Sequence, residues 1–207
     1  MKINYNKVME NEIEKIELSN TKPRLLLHAC CAPCSSAVLE VLKGVFDITI
    51  FFHNPNISPE EEFDFRLKEL ERLLKEMNLD GIKIYSPKYD STEFSNIAEG
   101  YESFPEGGKR CERCYTLRLE KTFEYACENN FDYVTTTLSV SPYKNAELLN
   151  KIGIALEEKF KVQYLQSDFK KNEGYKRSCE LSRQYNLYRQ DYCGCIYSKI
   201  AAENKRA

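Results

Sequence analysis

The sequence lacks a long apolar run, a secretory signal and an excess of either charge. No stretch of about 18 apolar residues occurs, which excludes a membrane-spanning helix, and residues 1–20 are polar without the apolar centre of a secretory signal. Lys and Arg number 30 against 32 Asp and Glu, so a nucleic-acid partner would have to meet a local patch, not a globally basic surface. We therefore expect a cytoplasmic protein that has no membrane partner.

Internal repeats, low-complexity segments and linker-like stretches are also absent, and a chain of 207 residues fits one domain. We expect residues 1–22 to form an N-terminal extension, helical or loosely packed, and residues 23–207 to form a single α/β domain that carries the chemistry. Only two histidines occur, His28 and His53, each at the end of a predicted strand. Either could be a functional group or a hydrogen-bonded core histidine.

Alternating strand and helix patterns predict the fold class. Apolar and β-branched runs predict strands at residues 24–29, 46–53, 82–85, 133–138 and 162–165. Helical spacing and capping signals predict helices at residues 35–43, 58–77, 115–129, 145–160 and 175–186, and a last helix after Cys195. This alternation is typical of a Rossmann-like open parallel sheet, in which ligands lie beyond the carboxyl ends of the strands.

Cysteine is abundant, and seven of the nine cysteines fall in three tight groups. The groups are Cys30-Cys31-Ala-Pro-Cys34, Cys111-Glu-Arg-Cys114 and Cys193-Gly194-Cys195. Cytoplasmic thiols stay reduced, so metal binding or redox chemistry is favoured over a framework of structural disulfides. Cys127, on the apolar side of its predicted helix, and Cys179 fit the simpler interpretation of small buried hydrophobes.

The first two groups have the spacing of metal ligands. Cys111-x-x-Cys114 lets two thiolates meet one metal, as zinc sites and iron–sulfur sites both require. We expect the neighbouring side chains of Cys30 and Cys31 to diverge, which suits a [4Fe–4S] cluster better than one small tetrahedral ion. Together these four cysteines supply the four thiolates of such a cluster. A structural zinc site is the main alternative.

The third group has a different spacing. One residue between Cys193 and Cys195 makes a disulfide feasible but strained, and strained disulfides are labile. Gly194 supplies the backbone freedom that such a ring needs. The pair therefore suits electron delivery, although two further metal ligands remain an alternative.

A basic segment near the C-terminus is a candidate RNA-binding face. Residues 168–189 hold six Lys and Arg against three Asp and Glu, interleaved with Phe and Tyr. Cations with aromatics can bind phosphates and splayed bases. An ordinary solvated helix face is the commoner explanation of such a run.

Six ordered motifs, covering most of residues 25–198, resemble the QueH-type epoxyqueuosine reductases. The motifs are LLLHACCAPCS (25–35), FFHNPNISPEEEFDFR (51–66), EGGKRCERCYTLRL (106–119), TTTLSVSPYKN (135–145), SDFKKNEGYKRSCELS (167–182) and RQDYCGCIYS (189–198). The resemblance implies a fold similar to adenine-nucleotide alpha hydrolases. It also implies reduction of the epoxide of epoxyqueuosine, at the wobble position of tRNA, to queuosine, the last step of queuosine biosynthesis.

The resemblance also implies a role for each cysteine group. Cys30, Cys31, Cys111 and Cys114 match the ligands of a [4Fe–4S] cluster, and Cys193 and Cys195 match a redox-active pair. An additional iron ion beside the cluster has Cys34 as its candidate contact. An external electron donor, which the sequence does not identify, would re-reduce the pair. Candidate proton donors to the epoxide oxygen are Asp191, Tyr192 and Tyr143.

Two other functions compete with this one. A zinc-stapled RNA-binding module would leave the Cys193–Cys195 pair unexplained. A tRNA-thiolating enzyme of the ATP-pyrophosphatase class would need a Ser-Gly-Gly-x-Asp-Ser phosphate loop after the first strand, where this chain has CCAPCSS.

Overall fold

A computed structural model describes residues 3–204, so two residues of the expected extension and the last three of the expected domain lie outside the described residues. The strands are β1 Arg24–His28, β2 Asp47–Phe51, β3 Lys83–Tyr85, β4 Tyr133–Thr136 and β5 Gln163–Tyr164. The α-helices are α1 Tyr5–Leu18, α2 Ala32–Leu42, α3 Glu60–Glu76, α4 Ser91–Ala98, α5 Lys109–Glu128, α6 Ala146–Phe160, α7 Gly174–Gln184 and α8 Ile196–Asn204. A short 3-10 helix, Thr137–Val140, follows β4.

The five strands form one parallel sheet in the order β3-β2-β1-β4-β5, which confirms the predicted Rossmann-like α/β class. The chain runs outward from β1 to β2 and β3, then returns to place β4 on the other side of β1. His28, at the end of β1, pairs with Phe51 of β2 and with Thr136 of β4. The switch in strand order therefore lies between the carboxyl ends of β1 and β4, where such folds bind their ligands.

Apolar side chains on both faces of β1 explain why helices cover both faces of the sheet. Leu25 and Leu27 pack in one core cluster with residues of α2 and α3, whereas Leu26 packs in the other with residues of α5 and α6. A continuous apolar run is what a parallel strand buried on both faces requires. Within residues 3–204, no helix is both long and apolar enough to cross a membrane.

The N-terminal segment is helical and packs on the sheet. Met9 and Ile16 of α1 are buried in the same core cluster as Leu25, and the Tyr133 hydroxyl donates to the Glu12 carboxylate at 2.8 Å. Treatment of residues 1–22 as a separate unit stays a prediction.

Three helices differ from the predicted pattern near the cysteine groups. The helix predicted to begin at residue 35 begins at Ala32, with a proline in its first turn. The helix predicted from residue 115 begins at Lys109, so Cys111 and Cys114 lie on its first turns and not in a loop. The helix predicted over residues 58–77, with Ser58 as its cap, begins at Glu60 with Pro59 in the cap position, so the Ser58 cap is wrong. The Ser58 N–H donates instead to the Gly194 carbonyl at 3.0 Å. That contact is tertiary, so a local capping pattern could not predict it.

Helix α6 packs so closely on strand β5 at Gly153 that a substitution there can test the packing of the helix on the sheet. Gly153 lies inside α6, and a Cβ added there would overlap the ring of Tyr164, which is buried on β5. Gly44 lies in the turn after α2, where an added Cβ would meet nothing within 4 Å. These two glycines form a matched pair of positions.

We expect Gly153→Ala to lower the free energy of unfolding by about 1–3 kcal/mol, because overpacking outweighs the gain of about 1 kcal/mol in helix propensity. Gly44→Ala should be neutral or stabilise by about 0.4–1 kcal/mol, since it removes freedom from the unfolded chain only. Urea unfolding followed by circular dichroism measures both. Equal midpoints for the two variants would contradict the packing of α6 on β5.

Candidate redox centre at the carboxyl end of the sheet

The first cysteine group lies at the switch in strand order. Cys30 lies two residues after the end of β1, and its sulfur lies 3.8 Å from the hydroxyl of Thr137, the residue that follows β4. Cys31 occupies the N-cap position of α2 with an extended backbone, and Cys34 lies in the first turn of that helix. The partial positive charge of the helix N-terminus favours negative charge at this place.

The sulfurs of this group converge. The Sγ atoms of Cys30, Cys31 and Cys34 all lie within 4.8 Å of one another, and among residues 3–204 they form the one group of three or more potential ligands of this kind. The Cys30 and Cys31 sulfurs are 3.7 Å apart, so the expectation that neighbouring side chains diverge is wrong. Two thiolates on one tetrahedral zinc lie about 3.8 Å apart, given bonds of about 2.3 Å. The separation of the Cys30 and Cys31 sulfurs therefore gives no argument against a single zinc ion.

These thiols do not ionise alike. Hydrogen bonds from Cys31 and Cys34 hold the pKa of the Cys30 thiol well below its usual range. The Cys30 sulfur in turn raises the pKa of Cys31 to about 11 and that of Cys34 well above its usual range. Cys30 thus carries the negative charge of the group, and Cys31 and Cys34 keep their protons. A metal cation bound by all three sulfurs would displace these two protons.

The second group lies on the first two turns of α5. Cys111 and Cys114 are three residues apart and share one helix face, and both are buried. The Gly107 N–H donates to the Cys111 sulfur at 3.3 Å. Burial raises the pKa of the Cys111 thiol and raises that of Cys114 to about 11. Both thiols therefore keep their protons at neutral pH until a cation binds.

The third group is a tight loop that leads into α8. The Cys193 and Cys195 sulfurs are 3.7 Å apart, in contact but not bonded, and a disulfide would require about 2.05 Å. The Ser198 hydroxyl lies 3.0 Å from the Cys193 sulfur, and the Ser198 N–H donates to the Cys195 sulfur at 3.4 Å. Gly194 has a φ of +122°, which a residue with a side chain rarely adopts.

A buried arginine holds this loop in place. The guanidinium of Arg66, on α3, donates to the Cys193 carbonyl at 3.2 Å and to the Glu62 carboxylate at 2.7 Å. It also lies over the ring of Tyr192, 5.2 Å from its centroid. A Cβ on Gly194 would come within 3.1 Å of this guanidinium. The close approach of Arg66 is therefore a second reason for glycine at this position.

The three groups share two adjoining cavities. Cys30, Cys34 and Cys193 line an open cleft of about 560 Å³. Cys111, Cys114, Cys193 and Cys195 line a small cavity beside it. Six of the seven predicted cysteines thus line these cavities, and the sulfur of the seventh, Cys31, lies 3.7 Å from that of Cys30. Cys127 is exposed, which corrects its predicted burial, and Cys179 is half-buried; neither lines these cavities.

Two cations line both cavities, and the motif spacing did not single them out. Arg118 is buried on α5 and donates to Asn54 at 2.5 Å and to the His28 ring at 3.3 Å. Lys144, in the loop before α6, is half-buried; burial acts to lower the pKa of its ammonium, but the negative charge at Cys30 and Cys193 outweighs burial and raises that pKa. Both residues belong to motifs of the family resemblance, which is the signal that could have found them.

The two histidines have structural partners. Burial lowers the pKa of His28 well below its usual range, so the ring is neutral. Because Arg118 donates to its Nε2, the ring proton lies on Nδ1 and is donated to the Thr136 hydroxyl at 2.8 Å. The Nε2 of His53 lies 3.0 Å from the Glu93 carboxylate. For His28 this favours the interpretation of a hydrogen-bonded core histidine.

Comparisons with known proteins identify relatives of the whole domain. The family model described as "Epoxyqueuosine reductase QueH" matches residues 25–201. This chain is similar to proteins named epoxyqueuosine reductase QueH from several bacteria. The Staphylococcus epidermidis protein is 42% identical over 96% of this chain and 86% of its own length. The Streptococcus pyogenes protein is 40% identical over 95% of this chain and 78% of its own length. The Thermotoga maritima protein is 33% identical over 88% of this chain and 94% of its own length.

A search of solved structures finds an NH3-dependent NAD synthetase from Campylobacter jejuni. It is 12% identical with a TM-score of 0.39, and the match covers 98% of this chain and 93% of that one.

The asymmetry between Cys193 and Cys195 generates a prediction about their reactivity. Contact with Cys195 and the charge of Lys144 hold the pKa of Cys193 well below its usual range, whereas contact with Cys193 raises the pKa of Cys195. In the reduced, metal-free protein, iodoacetamide should therefore alkylate Cys193 first. Lys144→Gln should raise the midpoint of the pH–rate profile of this alkylation, because it removes an opposite charge that lowers the pKa of Cys193.

The matched control is Lys159→Gln, which removes an exposed lysine that is paired with Glu120 at 2.6 Å and does not line either cavity. This variant should leave the midpoint unchanged. Peptide mass spectrometry measures the modified fraction of each cysteine. Faster alkylation of Cys195 would contradict the assigned asymmetry.

Proposed function

The chain belongs to the epoxyqueuosine reductase QueH family, and we propose that it reduces the epoxide of epoxyqueuosine in tRNA to the alkene of queuosine. The observation that supports this proposal most strongly is that six cysteines, drawn from all three groups, line two adjoining cavities, with the Cys31 sulfur 3.7 Å from that of Cys30. A structural zinc takes four ligands, which two such groups can supply, so a binding module would leave the third group without a role. Three groups, one of them with the spacing of a redox pair, suit an enzyme that moves electrons.

Cys30, Cys31, Cys111 and Cys114 are proposed to hold a [4Fe–4S] cluster. All four are buried, and the cysteines of each pair come from the N-terminal end of a helix, α2 or α5, where negative charge is favoured. Arg118 adds positive charge. Such a cluster supplies electron transfer and, at an accessible iron, Lewis acidity. Cys34 stays the candidate contact for an additional iron, which its position beside Cys30 supports.

Cys193 and Cys195 are proposed to supply the electrons. Loss of the epoxide oxygen takes two electrons and two protons and yields the alkene and water. Oxidation of the two thiols to one disulfide releases two electrons and two protons, so one cysteine pair balances one turnover. An external thiol or electron carrier must then reduce the disulfide. Cys193, with its lowered pKa, is the sulfur that such a donor would regenerate as thiolate.

The leaving oxygen needs a proton source at the cleft. Tyr143, Asp191 and Tyr192, the candidates from the sequence, all line the cleft together with Cys30 and Cys193. Because all three residues lie at the cleft, all three stay candidate proton donors to the leaving oxygen.

The competing functions make different use of the same residues. A zinc site is compatible with the 3.7 Å sulfur separation, but it would give the Cys193–Cys195 loop no role. An ATP pyrophosphatase needs a glycine-rich phosphate loop between the first strand and the next helix. At this place Cys31 occupies the N-cap position of α2, and Pro33 lies in the first turn of that helix. The reductase uses all three cysteine groups, and this favours it.

The test separates the two cysteine roles by metal content and activity. Cys30→Ser and Cys111→Ser should each lose most of the iron of anaerobically purified protein while the fold survives, because the apolar core does not depend on the cluster. Cys193→Ser and Cys195→Ser should keep the iron and the broad absorption near 400 nm, roughly where thiolate-to-iron charge transfer lies. Both should lose multiple-turnover queuosine formation, since neither can form the disulfide.

Iron per chain and queuosine per enzyme are measured on the same samples, with Cys127→Ser, an exposed cysteine outside the cavities, as the control. Loss of iron in Cys193→Ser or Cys195→Ser would make these residues metal ligands. Colourless wild-type protein with stoichiometric zinc would favour the binding module instead.

A further inference from the structure

The open cleft has the size and lining of a site for one nucleotide unit. Its volume of about 560 Å³ is within the range of small-ligand sites. Its floor holds Cys30, Cys34 and Cys193, and its walls hold tyrosines and cations. An enzyme that acts on a base within RNA has to take that base out of its stack, and this costs a few kcal/mol. The protein needs a surface that compensates for the lost stacking.

Tyr143 is placed to be that surface. It lines the cleft and is 77% exposed, which makes it the most exposed aromatic residue among residues 3–204. Two local hydrogen bonds hold the turn that carries it: the Tyr143 N–H donates to the Ser141 hydroxyl at 3.3 Å, and the Lys144 N–H donates to the Ser141 carbonyl at 3.2 Å. Tyr175 also lines the cleft, and the guanidinium of Arg189 lies 5.9 Å from its ring centroid. An exposed ring on an ordered loop is a stacking platform.

The pattern of ion pairs favours the cleft over the outer face of α7 as the place for RNA. Within the basic segment, Lys170, Lys176 and Arg177 are paired with carboxylates at 2.7–3.1 Å. Their charges are largely compensated inside the protein. Four cations of this region, Lys144, Lys171, Arg183 and Arg189, are outside the ion pairs found among residues 3–204, and of these Lys144 and Arg189 line the cleft. Arg189 also donates to the Ser182 hydroxyl at 3.0 Å, which holds its guanidinium beside the cleft, and neither of these two charges is balanced by a carboxylate of those ion pairs.

We propose that Tyr143 is the platform on which an RNA base everted into the cleft stacks, and that Arg189 and Lys144 receive the flanking phosphates. The inference rests on the proposed function, since it takes the everted nucleoside to be the one that carries the epoxide. Stacking at the mouth directs the rest of that nucleoside toward Cys30 and Cys193. The ring of Tyr143 holds the substrate equally in the ground state and the transition state, so loss of the ring acts on KM. Its hydroxyl is a candidate proton donor and would act on kcat, and Tyr143→Phe separates the two roles.

The test uses the cluster-loaded enzyme and a fluorescently labelled anticodon stem-loop RNA without the epoxide, so that binding is measured independently of reduction. Tyr143→Leu should weaken binding about tenfold, the order of one base–aromatic stack, and Tyr143→Phe should bind like wild type. Arg189→Gln should reduce the slope of log Kd against log salt by about 0.7–0.9, as expected for one phosphate contact. With epoxide-bearing RNA, Tyr143→Leu should raise KM about tenfold relative to Tyr143→Phe, and the two variants, which both lack the hydroxyl, should have the same kcat.

Two controls lie outside the cleft. Phe65→Leu removes another exposed ring, 45% exposed on α3, and Lys171→Gln with Lys176→Gln removes charge from α7. Both should bind RNA like wild type. Wild-type affinity in Tyr143→Leu, or a larger loss in the α7 variant, would overturn the inference. If wild-type enzyme binds RNA through Tyr143 but reduces no epoxide, the platform stands and the proposed function fails.

Discussion

The parallel pairing of β1 with β4 is the constraint on which the rest of the site depends. The register that joins Leu25 to Tyr133 and His28 to Thr136 sets the switch in strand order beside the end of β1. Cys30 then emerges against Thr137, and the loop after β4 carries Lys144 into the same place. A shift of one residue in this register would turn the buried leucines of β1 toward the wrong faces. The hydrophobic pattern of the strand therefore also fixes where the chemistry lies.

Charge is the second constraint, because the site buries both thiols and guanidiniums. Arg66 and Arg118 are almost fully buried, and a buried cation is costly unless anions accompany it. Glu62 is the carboxylate partner of Arg66, and the lowered pKa values of Cys30 and Cys193 place negative charge near both cavities. The same arrangement favours an anionic metal centre and a thiolate that can exchange electrons. Packing, electrostatics and redox chemistry thus favour the same residue types here.

The sequence allowed prediction of those features that depend on local patterns. Five strands, their order of alternation with helices and the three cysteine groups follow from hydrophobic period and spacing. The early start of α5 and the convergence of Cys30 with Cys31 did not, because each depends on packing around the sheet end. The contact between Arg66 and the Cys193 carbonyl joins residues 127 positions apart, and no local signal encodes such a distance. The short helix α4 was missed too, although Asp90 caps it by accepting from the Thr92 N–H.

The central claim is that the Cys193–Cys195 pair provides the electrons for each turnover at a metal centre held by the other cysteines. Its most direct measurement is a single turnover without external reductant, in which reduced holoenzyme meets excess RNA carrying epoxyqueuosine. Samples are quenched by acid and alkylation, and queuosine and the Cys193–Cys195 disulfide are counted by mass spectrometry. The account predicts that both rise together to about one per chain, since the thiol pair is a two-electron couple. Formation of queuosine while both thiols remain alkylatable would contradict it.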